Sequence, residues 1–308
     1  MSPLRQALAD YLTIRRAMGY KLERPERLLV QFIDYLDEAG AATVTTEHAL
    51  AWAMLPAGDR LSWWADRLAA ARGFAAYLVT IDAATEVPPA DLPPSHRRRG
   101  TPYLYSKGDI AALLAAAEGI RSALRAATHR TLLGLLSVTG PRIGEAIGLD
   151  RGDLDVRLGL LVARSGKLGK SRQLPLRPTA VQALSGCLAQ RDRLHPNPGT
   201  PAMLISTAGT RLCYRSAAQT FRELADRAGL TPRSASCRPR PHDLRHTFAV
   251  NTVLDAYRTG ADVQAVLPLL STWLGHVDPA ATYWYLSAAP ELLALAGSRL
   301  EDHLGDRP

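Results

Sequence analysis

Apolar residues recur at helical spacing in three early runs: Leu4, Leu8, Tyr11 and Leu12; Leu28, Leu29, Phe32, Ile33 and Leu36; and Trp64, Leu68, Ala71, Phe74 and Leu78. Steps of three and four put each set on one face of a helix. Gly19 and Gly40 stand where the first two runs end, and a shorter helix fits 48–54. The pattern therefore predicts a four-helix bundle over residues 1–87. Next comes Val87-Pro88-Pro89-Ala90-Asp91-Leu92-Pro93-Pro94, running into Arg97, Arg98, Arg99 and Gly100. Proline denies the backbone its helical donor, so 88–102 is expected to be a linker.

Beyond the linker the pattern stays helical except for one interlude. Ser106 and Asp109 have the spacing of a capping box that opens a helix through 117. An apolar helix over 132–138 stops near Gly140, and Pro141 suits the first turn of a helix over 142–149. The period then shortens, predicting strands at 158–164 and 172–176 around a Gly- and Lys-rich turn at 165–170. Helices resume at 179–194, 214–228, 244–256 and 262–274, with a bend or break expected at Pro268. The fold class is mainly α with a small β-sheet, an α+β chain, with a second domain over 103–308.

A length of 308 residues agrees with two domains at about 100–200 residues each. Lys and Arg number 37 against 29 Asp and Glu, a net charge of +8 that favours a polyanionic partner. Hydrophobic residues at 47% and charged residues at 21% exclude a largely disordered chain. Cys187, Cys213 and Cys237 are too few and too scattered for a disulfide framework or a Cys-rich metal site. No run approaches the roughly 18 apolar residues of a membrane span, and the opening Met1-Ser2-Pro3-Leu4-Arg5-Gln6 is not built like a signal peptide. The expectation is a cytoplasmic protein with no membrane partner.

Four islands bear chemistry. In Thr139-Gly140-Pro141-Arg142-Ile143-Gly144-Glu145, Arg142 is either a surface cation or a fork oriented by Glu145 toward a phosphate. The turn with Gly166, Lys167, Gly169 and Lys170 is either a plain soluble hairpin tip or a source of a mobile ammonium. Pro241-His242-Asp243-Leu244-Arg245-His246 opens a helix, with His242 and Arg245 one turn apart at an end that favours anions. His242 and His246 have zinc-pair spacing, but Arg245 would repel the cation and no third ligand is evident. The fourth island, Leu274-Gly275-His276 through Thr282-Tyr283-Trp284-Tyr285, taken alone is ordinary core or interface material. Basic runs remain at Arg97, Arg98 and Arg99, and at Arg15, Arg16, Lys21, Arg24 and Arg27; each is a solvated face or a phosphate-gripping edge.

Taken in chain order, the islands resemble the tyrosine recombinase (phage integrase) family, of Xer-like or transposon-borne type. Its motif runs Arg, Lys, His-x-x-Arg, His or Trp, Tyr. The matches are Arg142, Lys167, His242, Arg245, His276 and Tyr285, with Glu145 in a supporting position. The likeness covers most of the chain from Tyr103 to Leu300, and the N-terminal bundle fits the family's helical core-binding domain. It implies two domains forming a C-shaped DNA clamp.

It further implies that Tyr285 is a nucleophile toward a DNA phosphate, leaving a 3′-phosphotyrosyl link. Arg142 and Arg245 would neutralise the transition-state charge, Lys167 would protonate the departing 5′-oxygen, and His242 and His276 would assist. Tyr283 competes with Tyr285 and Lys170 with Lys167; the family's spacing selects Tyr285 and Lys167. Lys170 and the Arg97–Arg99 run are then expected on the DNA backbone. No metal and no cofactor is implied. The expected partners are double-stranded DNA with inverted half-sites and further protomers, either a homotetramer on paired sites or related recombinases.

Pro141 departs from the usual aliphatic residue, and the segment between Arg245 and His276 is longer than in commoner members. An additional arm-site DNA-binding domain is not expected. Leu292, Leu293, Leu295 and Leu300 fit a tail helix that packs either on its own domain or on a neighbour. Two other readings share the residues: a catalytically idle DNA-binding relative and a type IB topoisomerase-like enzyme.

Overall fold

The computed structural model describes residues 2–55, 61–92, 100–164 and 171–276, together with 278, 282–284, 291–292, 294–295 and 297. The chain separates into two compact units, Met1–Arg99 and Gly100–Pro308.

The first unit contains helices α1 (Pro3–Ala17), α2 (Glu23–Glu38), α3 (Thr46–Met54) and α4 (Leu61–Leu78). Its core contains the residues whose periodicity predicted it except Trp64, which is half-buried, and Leu29, Phe32, Ile33, Leu36, Ala71 and Phe74 are fully buried. Burying side chains of this size contributes roughly 1.5–3 kcal/mol each before ordering costs. Phe32 packs on Trp52 at 4.8 Å between ring centroids, and Tyr11 meets Phe74 edge-on at 5.7 Å. Trp52 is also covered by the Arg67 guanidinium, 3.7 Å from its ring centroid, and its carbonyl accepts from Arg67 Nη2 at 2.7 Å.

The second unit opens with α5 (Lys107–Glu118), whose Ser106–Asp109 capping box is formed as predicted. At its centre is α6 (Ala123–Thr139), packed against α5, α8 (Pro178–Leu194) and α10 (Pro241–Arg258). Between α6 and α8 lie the short α7 (Ile143–Gly148) and a three-stranded antiparallel sheet, β1 (Leu154–Asp155), β2 (Leu160–Ala163) and β3 (Arg172–Pro175), in that order. Leu161 faces Leu174 and Ala163 faces Arg172, so the buried side of β2 meets the side of β3 that carries Arg172 and Leu174. Helices α9 (Tyr214–Arg227) and α11 (Val263–Leu274) complete the unit. The architecture is mainly helical with one small sheet, as the periodicity implied.

Local expectations differ in four places. Arg142 does not open a helix, and Pro141 is not in its first turn: Arg142 is extended (φ −66°, ψ 144°) and α7 begins one residue later. The cause is the preceding Gly140 in the left-handed region (φ 59°), which turns the chain, and Glu145, whose carboxylate accepts from the Arg142 backbone. Strand β1 is an addition, too short to leave a period of two in the sequence. The helix expected over 132–138 begins much earlier, at Ala123, where the Ser122 side chain caps it. Finally, α11 runs unbroken through Pro268. Gln264 and Pro268 both lie on its exposed face, where water can satisfy the carbonyl that proline leaves without a donor.

The tail packs on its own chain in the described residues. Leu292 is buried against Ala249, Val250, Val253, Leu254, Leu270 and Leu274, and Leu295 lies against the same cluster. Among the described residues no helix is long and apolar enough to cross a membrane.

Candidate active site

Arg245 is the anchor of the site. It projects from the first turns of α10 and is 1% exposed. Its Nη1 donates to Gly140 O and its Nη2 to Leu274 O, both at 2.7 Å. Those carbonyls end α6 and α11, so two helix C-termini turn their partial negative charge onto one guanidinium. Gly140 is required for this in two ways. Its φ is left-handed, and a Cβ there would sit 2.4 Å from Cδ1 of Phe248 on α10.

A second guanidinium is oriented by a carboxylate. Glu145 Oε1 accepts from Arg142 Nη1 at 2.8 Å and Oε2 accepts from the Arg142 backbone at 2.9 Å. Arg142 Nη2 reaches Gly275 O at 3.3 Å, which brings it beside His276. The same carboxylate takes two bonds from Arg172 on β3, Nη2 to Oε2 at 2.7 Å and Nη1 to Oε1 at 3.1 Å. Arg172 Nε also donates to Trp273 O at 2.7 Å. Burial by itself would raise the Glu145 pKa, but the bonds and charges of Arg172 and Arg142 outweigh it and hold the acid at about 2. It is therefore ionised at any working pH and fixes both cations.

Three imidazoles border the guanidiniums. His276 Nε2 lies 3.0 Å from Arg245 Nη2, and Nδ1 lies 2.7 Å from Thr282 Oγ1. Desolvation, followed by the charges of Arg245, Arg142 and Arg172, lowers its pKa to about 4. His242 presents one side to solvent while protein hems in the rest; that partial desolvation, then Arg245, Arg142 and Arg240, brings it to about 4. His246 is buried and is lowered to about 3, by desolvation first and then by His242 and the neighbouring arginines. It stands edge-on to His242 at 4.9 Å and to Trp284 at 5.1 Å. All three rings are neutral at pH 7, and a bound phosphate would raise their pKa values again.

Of the residues singled out in the sequence, the structure brings Arg142, Glu145, His242, Arg245 and His276 into one cluster. Lys167, Lys170, Tyr285 and the run Arg97, Arg98 and Arg99 lie outside the described residues. The alternative nucleophile Tyr283 is described, and it is exposed. Around the first helix, Arg16 pairs with Glu26, Arg24 with Asp66, and Arg15 lies over Tyr20, so these cations have protein partners. Among the described residues no group of three or more His, Cys, Asp or Glu could hold a metal ion.

Two residues escaped sequence reasoning. Arg172 could have been suspected, because strand alternation puts it on the same side as buried Leu174. Thr282 stood in the fourth island only as a spacing mark for Tyr285, and nothing in the sequence signalled that its hydroxyl reaches His276.

Residues 105–291 match the phage integrase family. The chain belongs to that family of tyrosine recombinases. This integrase is 41% identical, over the full length of both chains, to the integrase/recombinase y4rB of Sinorhizobium fredii. It is 32% identical to the tyrosine recombinase XerD of Mycobacterium tuberculosis, with 91% of each chain covered. Its fold is similar to that of the Tn1549 transposon integrase in complex with transposon right end DNA (TM-score 0.69, 16% identity, 98% of this chain and 99% of that one). It is also similar to that of the XerH site-specific recombinase bound to a palindromic difH substrate (TM-score 0.65, 19% identity, 89% and 78%). The integrase is an enzyme, a site-specific DNA recombinase.

Proposed function

We propose that this recombinase cuts and rejoins DNA through a covalent 3′-phosphotyrosyl intermediate on Tyr285, in the service of a mobile element. The observation that carries the reading is the convergence of Arg142 and Arg245 beside His276, with each guanidinium held by protein carbonyls or a carboxylate. Preorganised cations of this kind stabilise a pentacoordinate phosphorane, whose extra negative charge is the main barrier to attack on a phosphodiester.

Tyr285 Oη would form a bond to the scissile phosphorus while the bond from phosphorus to the 5′-oxygen breaks. Lys167 would give its proton to that leaving oxygen, and a neutral imidazole, His242 or His276, would take up the proton that Tyr285 Oη loses. The diester bond is exchanged, not hydrolysed, so a 5′-hydroxyl can reverse the step and rejoin DNA with no external energy source. Glu145 orients and does not react. The N-terminal bundle would grip the duplex as a core-binding domain, with Arg97, Arg98, Arg99 and Lys170 on the backbone. Protomers would pair as tetramers on inverted half-sites. The likeness to y4rB and the fold shared with a transposon integrase favour the mobile-element role.

The test is a duplex that the protein is first shown to bind site-specifically, nicked so that cleavage releases a short oligonucleotide and traps the adduct. Wild type is expected to form a denaturant-resistant protein–DNA adduct and Tyr285→Phe none. An adduct that survives in Tyr285→Phe and disappears in Tyr283→Phe would overturn the assignment. Absence of any adduct with wild type would overturn the covalent mechanism.

A further inference from the structure

Thr282 is 2% exposed and stands three residues before Tyr285 in the sequence. Its Oγ1 lies 2.7 Å from His276 Nδ1 and 2.5 Å from Ser271 Oγ on α11. On the other side of the imidazole, Nε2 faces Arg245 Nη2 at 3.0 Å. A guanidinium can only donate, so a nitrogen bonded to it must present a lone pair. In a neutral ring the proton is then on Nδ1, where it donates to Thr282 Oγ1, whose hydroxyl also shares a hydrogen bond with Ser271 Oγ. The low pKa of His276 supports the neutral form at pH 7. Trp284, two residues further on, rests edge-on against His246 of α10. The stretch leading into Tyr285 therefore touches the cation cluster through Thr282 and α10 through Trp284.

We infer that Thr282 is a positioning residue that sets the tautomer of His276, so that the ring presents the lone pair of Nε2 to Arg245. The inference rests on the proposed role of Tyr285 for its catalytic meaning, though not for the tautomer itself. It ties the readiness of the site to the presence of the nucleophile's segment.

The experiment uses the full chain labelled with 15N-histidine, with His276→Gln to assign the resonances. In wild type at pH 7 the His276 ring is expected to carry its proton on Nδ1. Thr282→Ser should retain that pattern, and Thr282→Val, matched in shape but without the hydroxyl, should lose it. A wild-type proton on Nε2 overturns the inference, as does an unchanged His276 signal in Thr282→Val; the first of these needs no variant to fold. On the nicked duplex, Thr282→Val should slow adduct formation by about tenfold or more and Thr282→Ser should restore it. If wild type forms no adduct while the tautomer behaves as described, the covalent reading fails and the role of Thr282 stands.

Discussion

Glu145 and Arg172, far apart in sequence, are joined by two hydrogen bonds of 2.7 and 3.1 Å, and the same carboxylate binds Arg142. Arg172 in turn holds Trp273 O, three residues before His276. One buried acid thus locks together the turn after α6, the sheet and the end of α11. Breaking a buried ion pair by removing one partner is costly because the remaining charge stays buried. Glu145→Gln is therefore expected to lower unfolding stability by about 3 kcal/mol, the low end of the usual range because Arg142 reaches solvent. Denaturant unfolding of the full chain measures this, and an unchanged midpoint would show that the bridge is inert.

Gly140→Ala should cost about 1–3 kcal/mol from the left-handed backbone, plus the contact with Phe248. Phe248→Ala in the same chain should relieve only the second part. A double-mutant cycle separates them, and simple additivity of the two losses would refute the packing contribution.

Arg245→Lys keeps the charge and loses the fork. One ammonium cannot bond Gly140 O and Leu274 O while also facing His276 and a phosphate. Adduct formation is expected to fall by about 10²-fold or more, the scale seen when a preorganised transition-state donor is removed. Near-normal rates would mean that charge alone suffices.

The lowered histidines make stability pH-dependent. His276 and His246 bind protons near pH 6.5 when unfolded but only near 4 and 3 when folded. Between those values the unfolded chain holds more protons, so stability falls as pH drops from about 6.5 toward 4. Going from pH 7.5 to 5 should cost about 2 kcal/mol for the buried His246 ring and less for the half-buried His276, whose charge solvent screens. Asp243, whose pKa burial raises, works the other way below its own titration. Denaturation curves at the two pH values decide the matter, and equal midpoints would contradict the burial of these rings.

Phosphate contacts release counterions, so binding to duplex should weaken steeply as salt rises, with log Kd close to linear in log salt. Fluorescence anisotropy on a labelled duplex provides the slope. A flat response would count against the charge of +8 serving the DNA backbone.

Periodicity by itself determined the helices, because burial of one face every three to four residues is a local constraint that the order of residues records. It also placed the chemistry in four islands, with Arg142, His242, Arg245 and His276 in their order. Tertiary structure decided how those groups are held. The two carbonyls on Arg245 come from helix ends distant in sequence, and nothing local to Arg245 announces them. Whether Arg142 sits in a helix turned on the conformation of Gly140 and the reach of Glu145. Arg172 and Thr282 entered the site only because the sheet and the stretch before Tyr285 pack against α11 and its end. Hydrogen bonds of that kind depend on three-dimensional proximity between segments, which no single stretch of sequence encodes.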